Sequence, residues 1–471
     1  MNIILLSGGS GKRLWPLSND IRSKQFIKIF KKPKDDWRRS PNEEYADASA
    51  APNVNTAAGQ KAAASAEDAY ESMLQRVYRQ IKAADPEATV TLATGKSQIS
   101  AIHNQLGEGV GISVEPCRRD TFPAIALATA YLHDVKGIPA DEAVVVCPVD
   151  PYVDEGYFAA LHQLWERAQQ GTANLVLMGI HPTYPSEKYG YIIPETKDAV
   201  SKVSTFKEKP DAATAQQYID QGGLWNGGVF AYKISYVLER ARQLLAYTDY
   251  ADLFSRYDTL TKISFDYAVV EHEPDIAVMR FTGEWKDLGT WNTLTEAMEE
   301  NVLGDARLNE TCRNVHVLNE LGIPILAMGL QDVVIAASSE GILVADKEQS
   351  SYIKPFVDAI DQQVMFAEKS WGQYQVLDAE ENSMTIKVTL NPGHRMNYHS
   401  HDKRDEVWTV VSGKGRTIVD GMEQPVQAGD VITMAAGCKH TVMADTKLQL
   451  IEVQLGNDIS VNDKHKYALE I

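Results

Sequence analysis

Apolar runs separated by stretches of helical period set the texture of the first three hundred residues. Residues 2–7 form an apolar run that ends in Gly8-Gly9-Ser10-Gly11. Residues 143–147 (AVVVC) and 175–180 (LVLMGI) are unbroken in the same way. Continuous apolar runs of this length suit parallel strands covered on both faces. Between them, residues 70–83 and 124–133 read as helices. Strands alternating with helices predict an α/β domain with a Rossmann-like, doubly wound sheet over residues 1–300. The pattern vanishes between residues 31 and 66, which are rich in Ala, Asn, Asp, Lys and Pro and nearly devoid of branched apolar residues. Such a stretch cannot bury enough surface to offset its ordering entropy, so its composition reads as a mobile surface insertion without chemistry of its own.

From about Thr311 the period shortens. Pieces at 315–318, 325–328, 333–336 and 341–344 predict a small β linker module over residues 301–360. From Trp371 onward, alternating segments at 384–390, 407–411, 416–420, 431–434 and 448–453 are divided by turns such as Asn391-Pro392-Gly393 and Ala428-Gly429-Asp430. Many short strands at regular spacing predict a β-barrel or sandwich over residues 361–471. No internal repeat is visible.

Three units also match the length, 471 residues at ~150 per domain. The net charge of −18 repels phosphate polymers and anionic surfaces, so neither nucleic acid nor membrane is expected as a partner. No apolar run approaches the ~20 residues of a membrane span. The four cysteines (Cys117, Cys147, Cys312 and Cys438) stand singly, which suits reduced thiols and a cytoplasmic location.

The opening glycine run follows a strand and carries two cations, Lys12 and Arg13. Two familiar phosphate loops do not fit. A Walker loop needs Ser or Thr where Arg13 stands and Gly where Leu6 stands. A dinucleotide fingerprint needs a third Gly where Leu14 stands. Backbone N–H groups with adjacent cations still suit a small phosphate ligand.

The longer stretch Gly8 to Ser18 (GGSGKRLWPLS), followed by Ser23-Lys24-Gln25-Phe26, resembles the signature of sugar-1-phosphate nucleotidylyltransferases, and specifically their mannose-1-phosphate guanylyltransferase branch. Further motifs follow in the family's order: residues 115–124 (EPCRRDTFPA), Pro148-Val149-Asp150, 188–192 (KYGYI), 206–210 (FKEKP), 225–230 (WNGGVF), Phe265-Asp266-Tyr267-Ala268 and 285–291 (WKDLGTW). The chain departs from the pattern at Lys12 (usually Thr), Ser23 (usually Pro), Asp120 (usually Asn), Pro151 (usually His) and Gly227 (usually Ser).

The resemblance implies attack by a sugar 1-phosphate oxygen on the α-phosphorus of a nucleoside triphosphate. In such a reaction positioning and electrostatics do most of the work. Arg13 is then the bidentate triphosphate clamp and Lys24 a point charge near the α-phosphate. Asp150 and Asp287 hold Mg²⁺. Gly8, Gly9, Gly11, Lys12, Arg119, Asp120 and Thr121 join Arg13 on the nucleotide side. Gly190, Glu208, Lys209 and Asn226 take the sugar phosphate. GTP and mannose 1-phosphate are the implied substrates, and a homodimer is the implied assembly. The rival expectations are another base or sugar, as in a cytidylyltransferase, and a non-catalytic sugar-nucleotide sensor.

In the C-terminal region the spacing of Gly393, His399, His401, Glu406 and Gly413 resembles the first cupin motif, and Gly429, Gly437 and His440 the second. His399 and His401 are two apart, so in a strand both rings face one side. With Glu406 and His440 they make a three-His, one-carboxylate set for a divalent transition metal such as Zn, Mn, Fe or Co. The cupin resembles type II mannose-6-phosphate isomerases. Asn397 stands where those have Gln, and Asp402-Lys403-Arg404-Asp405 lengthens the approach to Glu406. These departures predict metal binding with weak or absent isomerase activity.

Overall fold

The computed structural model describes residues 1–9, 11–19, 21–33, 69–460 and 462–469. In the strand Asn2–Leu6, Ile3 and Leu5 enter one core and Ile4 a second one on the opposite face of the sheet. Residues 143–148 divide likewise, Val145 and Cys147 to one side and Val144 and Val146 to the other. This is the period-2 signature of a strand covered twice. Helices Met73–Ala84, Ile99–Leu106 and Glu155–Gln170 supply residues to the first core, and Thr121–Ala130 and Ile234–Leu245 to the second. The sheet is thus doubly wound.

It is also mixed. Its nine strands run in the order Gly111–Glu115, Thr89–Gly95, Asn2–Leu6, Ala143–Pro148, Leu224–Lys233, Leu175–Ile180, Ile276–Phe281, Val200–Lys207, Gly190–Pro194. The first four are parallel, whereas Leu224–Lys233 lies antiparallel to both its neighbours, Ala143–Pro148 and Leu175–Ile180. A strand buried on both faces is apolar whichever way its partner runs, so apolarity alone did not reveal this reversal.

The helix expected from residue 70 starts at Met73. Ser72 caps it, its hydroxyl accepting from the Gln75 N–H at 3.1 Å while Gln75 accepts from the Ser72 N–H at 3.1 Å. Tyr70–Ser72 instead pairs antiparallel with Lys28–Lys31. The insertion expected at 31–66 therefore begins on the last residue of a strand, and from residue 34 on it lies outside the described residues.

After the sheet the chain coils. Val302–Leu303, His316–Asn319 and Val333–Ser338 stack in parallel, as do Ala306–Leu308 and Ile325–Ala327, before Gly341–Asp346 turns back antiparallel. Leu318, Val334 and Ala336 join the α/β core, so this β module is packed onto the first domain. Polar contacts fasten it beside the glycine loop. Ser338 donates to the Pro16 carbonyl at 2.7 Å, and Asn19 donates to Glu340 at 2.8 Å. Glu340, itself buried, also accepts from the N–H groups of Met365 and Phe366 at 2.9 and 3.0 Å.

Within the module, Lys347 Nζ donates to His316 Nδ1 at 2.8 Å. Burial first, and Lys347 second, push His316 down to about 4. A depressed histidine contributes stability above its ordinary value near 6.5 that is lost as pH falls through 4. Melting temperatures measured between pH 6.5 and 4 should fall for the parent chain and fall less for His316→Gln. An identical slope in the variant would assign the loss to other groups.

The C-terminal barrel has two sheets around one core that includes Val388, Trp408, Val442 and Leu450. One sheet runs Phe366–Lys369, Gly372–Glu380, Ser383–Leu390, Leu448–Gly456, Arg404–Ser412, Val431–Met434. The other runs Met422–Gln427, Lys414–Val419, His440–Ala444, His399–Ser400, His465–Lys466.

Candidate functional site

The glycine loop sits at the C-terminal end of the strand Asn2–Leu6, where open α/β sheets place ligands. Gly11 has φ 63°, and a Cβ there would stand 3.0 Å from the Lys24 nitrogen, so the backbone and the close approach both require glycine. Gly9 is left-handed too, at φ 121°, and nothing lies within 4 Å of a Cβ built on Gly8 or Gly9. The loop is held from below. The Gly9 carbonyl accepts from Ser23 Oγ and from Arg118, each at 3.1 Å. Gln98 donates to Ser23 at 2.6 Å, and Gln25 donates to the Ser7 carbonyl at 3.1 Å.

Four of the expected residues converge above this loop. Trp285–Asp287 pairs antiparallel with Pro151–Val153, which sets Asp287 opposite Pro151 and hence beside Asp150. Lys24 Nζ lies 2.6 Å from Asp150 Oδ2 and 3.9 Å from Asp287 Oδ1. Burial disfavours the charge on Asp150, but Lys24 and then Arg13 outweigh it and hold the carboxyl below its usual range. Arg13 is exposed and, among the described residues, forms no ion pair of its own. A free guanidinium, an ammonium and two adjacent carboxylates, each 37% exposed in its side chain, make a cleft that can bind both polyphosphate and a hard cation.

Other nucleotide-side candidates are placed differently. Lys12 pairs with Asp358 at 3.1 Å, on the short helix Lys354–Asp358 near the end of the β module. Arg119 donates to the backbone carbonyls of Tyr257 and Asp258, which directs its guanidinium away from the glycine loop. Its neighbour Arg118, passed over in the sequence, is the arginine that meets Gly9; adjacent identical side chains are told apart only by geometry. Asp120, at φ 70°, caps the helix Thr121–Ala130. The Thr121 hydroxyl accepts from the Phe265 N–H at 2.8 Å.

The sugar-side candidates do come together. Glu208 and Asn226 flank Gly190: a Cβ on Gly190 would collide with Glu208 Oε2 and stand 3.3 Å from the Asn226 Cβ. Glu208 is buried and Lys209 pairs with its Oε1, yet Oε2 has no hydrogen-bond partner. An orphaned, buried carboxylate oxygen beside a missing side chain suits a ligand hydroxyl. Asp266, in the motif Phe265-Asp266-Tyr267-Ala268, completes the pocket by accepting from Asn226 Nδ2 at 2.6 Å.

In the barrel, register explains the second centre. His399 stands directly opposite His440 on paired strands, with ring centroids 4.4 Å apart. The ligand atoms of His399, His401, Glu406 and His440 all lie within 4.8 Å of one another, and all four residues are buried. Each imidazole uses Nδ1 on a backbone carbonyl: His399 on Asn397 at 2.6 Å, His440 on Cys438 at 3.0 Å, and His401 on Asp463. Those bonds leave the Nε2 atoms to face the cluster, the arrangement seen around metals, although the buried Arg404 donates to His401 Nε2 at 3.1 Å. His440 Nε2 lies 3.2 Å from Glu406 Oε2 but makes no hydrogen bond. Burial first, then Lys464 and His440, push His399 down to about 2, so it is a neutral donor. Burial opposes the charge on Glu406, whose oxygens accept from Arg404 Nε and Trp408 Nε1, each at 3.2 Å, and from Gln454 Nε2 at 3.3 Å. The donor set fits a transition ion.

The fold and cleft define a phosphate-handling α/β domain carrying a cupin barrel. The chain matches the Nucleotidyl transferase family over residues 2–34 and 56–302, and it belongs to that family. Residues 359–468 match the Mannose-6-phosphate isomerase C-terminal model. Relatives align end to end. A Xanthan biosynthesis protein XanB of Xanthomonas campestris is 29% identical over 98% of this chain and 96% of its own. The mannose-1-phosphate guanylyltransferase of Escherichia coli K12 is 26% identical over 99% and 97%. A solved structure from Thermus thermophilus, described as a mannose-1-phosphate geranyltransferase, covers 76% of this chain and 98% of its own at 25% identity, with a TM-score of 0.57. Among the described residues no helix is long and apolar enough to cross a membrane.

Proposed function

We propose that the chain transfers a guanylyl group from GTP to mannose 1-phosphate. An oxygen of the sugar phosphate attacks the α-phosphorus, the bond from that phosphorus to the bridging β-oxygen breaks, and GDP-mannose and pyrophosphate result. The observation that carries this reading is the meeting of Arg13, Lys24, Asp150 and Asp287 over the glycine loop. Full-length relatives named for this activity support the choice of substrates.

In this reading Arg13 clamps the triphosphate and Lys24 moves from Asp150 to the developing charge at the α-phosphate. Glu208 accepts from a ring hydroxyl and Lys209 meets the sugar's phosphate. Asp150 and Asp287 hold Mg²⁺, which would neutralise triphosphate charge as a Lewis acid. The cupin holds a divalent transition metal on His399, His401, Glu406 and His440, with isomerase activity weak or absent. The enzyme is cytoplasmic, and its units divide near residues 300 and 360.

The test is pyrophosphate release from each of the four ribonucleoside triphosphates against a panel of sugar 1-phosphates. GTP with mannose 1-phosphate should give the highest kcat/KM. A different base or sugar in first place would replace the substrate assignment. Binding without turnover by any pair would favour a sensor.

A further inference from the structure

Asp266 lies on a short turn that its neighbours anchor to the core. It follows Phe265, which is fully buried and packs against Phe122, Phe230 and Tyr232. The Phe265 N–H is held by Thr121, and Ser264 caps the short turn from the other side by accepting from the Tyr267 N–H at 3.2 Å. Among the described residues, Asp266 takes one side-chain hydrogen bond, from Asn226, and has no cation within ion-pair distance. Burial, then the nearby Glu208 charge, push its carboxyl up to about 6, and the Asn226 hydrogen bond and the Lys209 charge offset only part of this.

The bond to Asn226 has a chemical consequence. An amide side chain can turn over, exchanging a donor for an acceptor. Here Asn226 Oδ1 accepts from the Gly228 N–H at 3.1 Å while Nδ2 donates to Asp266 at 2.6 Å. Both ends are fixed, and one N–H of the amide remains for a ligand. Across Gly190 the unpartnered Glu208 Oε2 offers only an acceptor. Glu208 Oε2 and the Asn226 side chain both stand beside Gly190, and a donor and an acceptor that close can grip a single hydroxyl that accepts from one and donates to the other. That geometry fixes the direction of the hydroxyl on its ring carbon.

We propose that Asp266 is a positioning residue for the sugar phosphate: by locking the Asn226 amide against Glu208, it makes the pocket read the orientation of one ring hydroxyl and so discriminate between epimeric sugar 1-phosphates. This rests on the transferase reading above.

The experiment compares Asp266→Ala and Asp266→Asn with the parent chain in steady-state transfer, using mannose 1-phosphate and its C2 epimer glucose 1-phosphate. Asp266→Ala should raise the KM for mannose 1-phosphate about tenfold, the loss of one charged hydrogen bond. It should also narrow the selectivity between the two sugars, while the KM for GTP stays within about twofold. Asp266→Asn keeps an oxygen that can accept from Asn226 and should retain most of the selectivity. Equal rises in both substrates' KM, or unchanged selectivity in Asp266→Ala, would overturn the proposal. If Asp266→Ala does not fold, Asp266→Ser, too short to reach Asn226, carries the same expectation. Absence of transfer by the parent chain would count against the transferase reading alone. Calorimetric binding of the two sugar phosphates to parent and Asp266→Ala then decides the present proposal, with equal affinities overturning it.

Discussion

Asp287→Asn should nearly abolish nucleotidyl transfer while leaving the fold intact. The substitution keeps shape and removes one of the two carboxylates over the glycine loop. The triphosphate's charge is then poorly neutralised where it builds, a loss of several kcal/mol of transition-state stabilisation. At about 1.4 kcal/mol per tenfold, turnover should fall by on the order of 10²–10⁴. The fold should tolerate the change. Asp287 lies at the cleft surface, its side chain 37% exposed, and Lys24 keeps its closer partner Asp150 at 2.6 Å. Pyrophosphate release titrated with Mg²⁺, alongside a thermal melt, checks both halves. Near-normal turnover at saturating Mg²⁺ would remove Asp287 from the metal site. A collapsed melting temperature would make it structural.

How far the sequence revealed this site depended on the kind of information each residue needed. Short-range chemistry was visible. The two-residue step from His399 to His401 suggested neighbouring rings, and their centroids lie 4.8 Å apart although the paired strand ends at Ser400; the structure adds His440 opposite His399 and brings Glu406 from the other sheet. Apolar runs located the strands 2–6, 143–148 and 175–180. Partner direction was not visible, because a strand buried on both faces looks the same beside a parallel or an antiparallel neighbour; hence the reversal at Leu224–Lys233. The strand Met422–Gln427 was hidden by Pro425, which an edge position tolerates because one side of the strand needs no donor. Tyr70–Ser72 and Lys28–Lys31 pair across nearly forty residues of sequence, beyond any local pattern. The nucleotide-side candidates diverged for a related reason. Arg118 and Arg119 are chemically identical in sequence, and only backbone direction sends one to Gly9 and the other to the 257–258 carbonyls. Lys12 looks like a phosphate cation until the helix Lys354–Asp358, more than three hundred residues later, supplies its partner.

The second large effect lies in the barrel. The double variant His399→Ala with His401→Ala should take cupin metal content from about one ion per chain to none, measured by elemental analysis after dialysis. Two of four donors cannot hold a transition ion against buffer, since affinity rests on the number and geometry of ligands. The melting temperature should fall as well. The loss includes the stabilisation a bound metal gives the native state. It also includes the carbonyls of Asn397 and of the buried Asp463, left without their imidazole donors. Nucleotidyl transfer should persist within about twofold, because Arg13, Lys24, Asp150 and Asp287 belong to a different sheet and separate sites usually act independently. One physical route argues the other way. Asn19, just past the glycine loop, donates to Glu340, and Glu340 also holds the N–H groups of Met365 and Phe366 at the start of the barrel. If barrel disorder travels through that carboxylate, transfer will fall in step with metal content, and the two halves must then be treated as one enzyme. Interconversion of fructose 6-phosphate and mannose 6-phosphate supplies the remaining readout. Moving a proton between adjacent carbons needs a metal or its equivalent to stabilise the enediolate. With Asn397 and the lengthened approach to Glu406, the parent chain should isomerise weakly or not at all. Robust isomerisation by the parent chain that the double variant lacks would overturn that expectation and make the protein bifunctional.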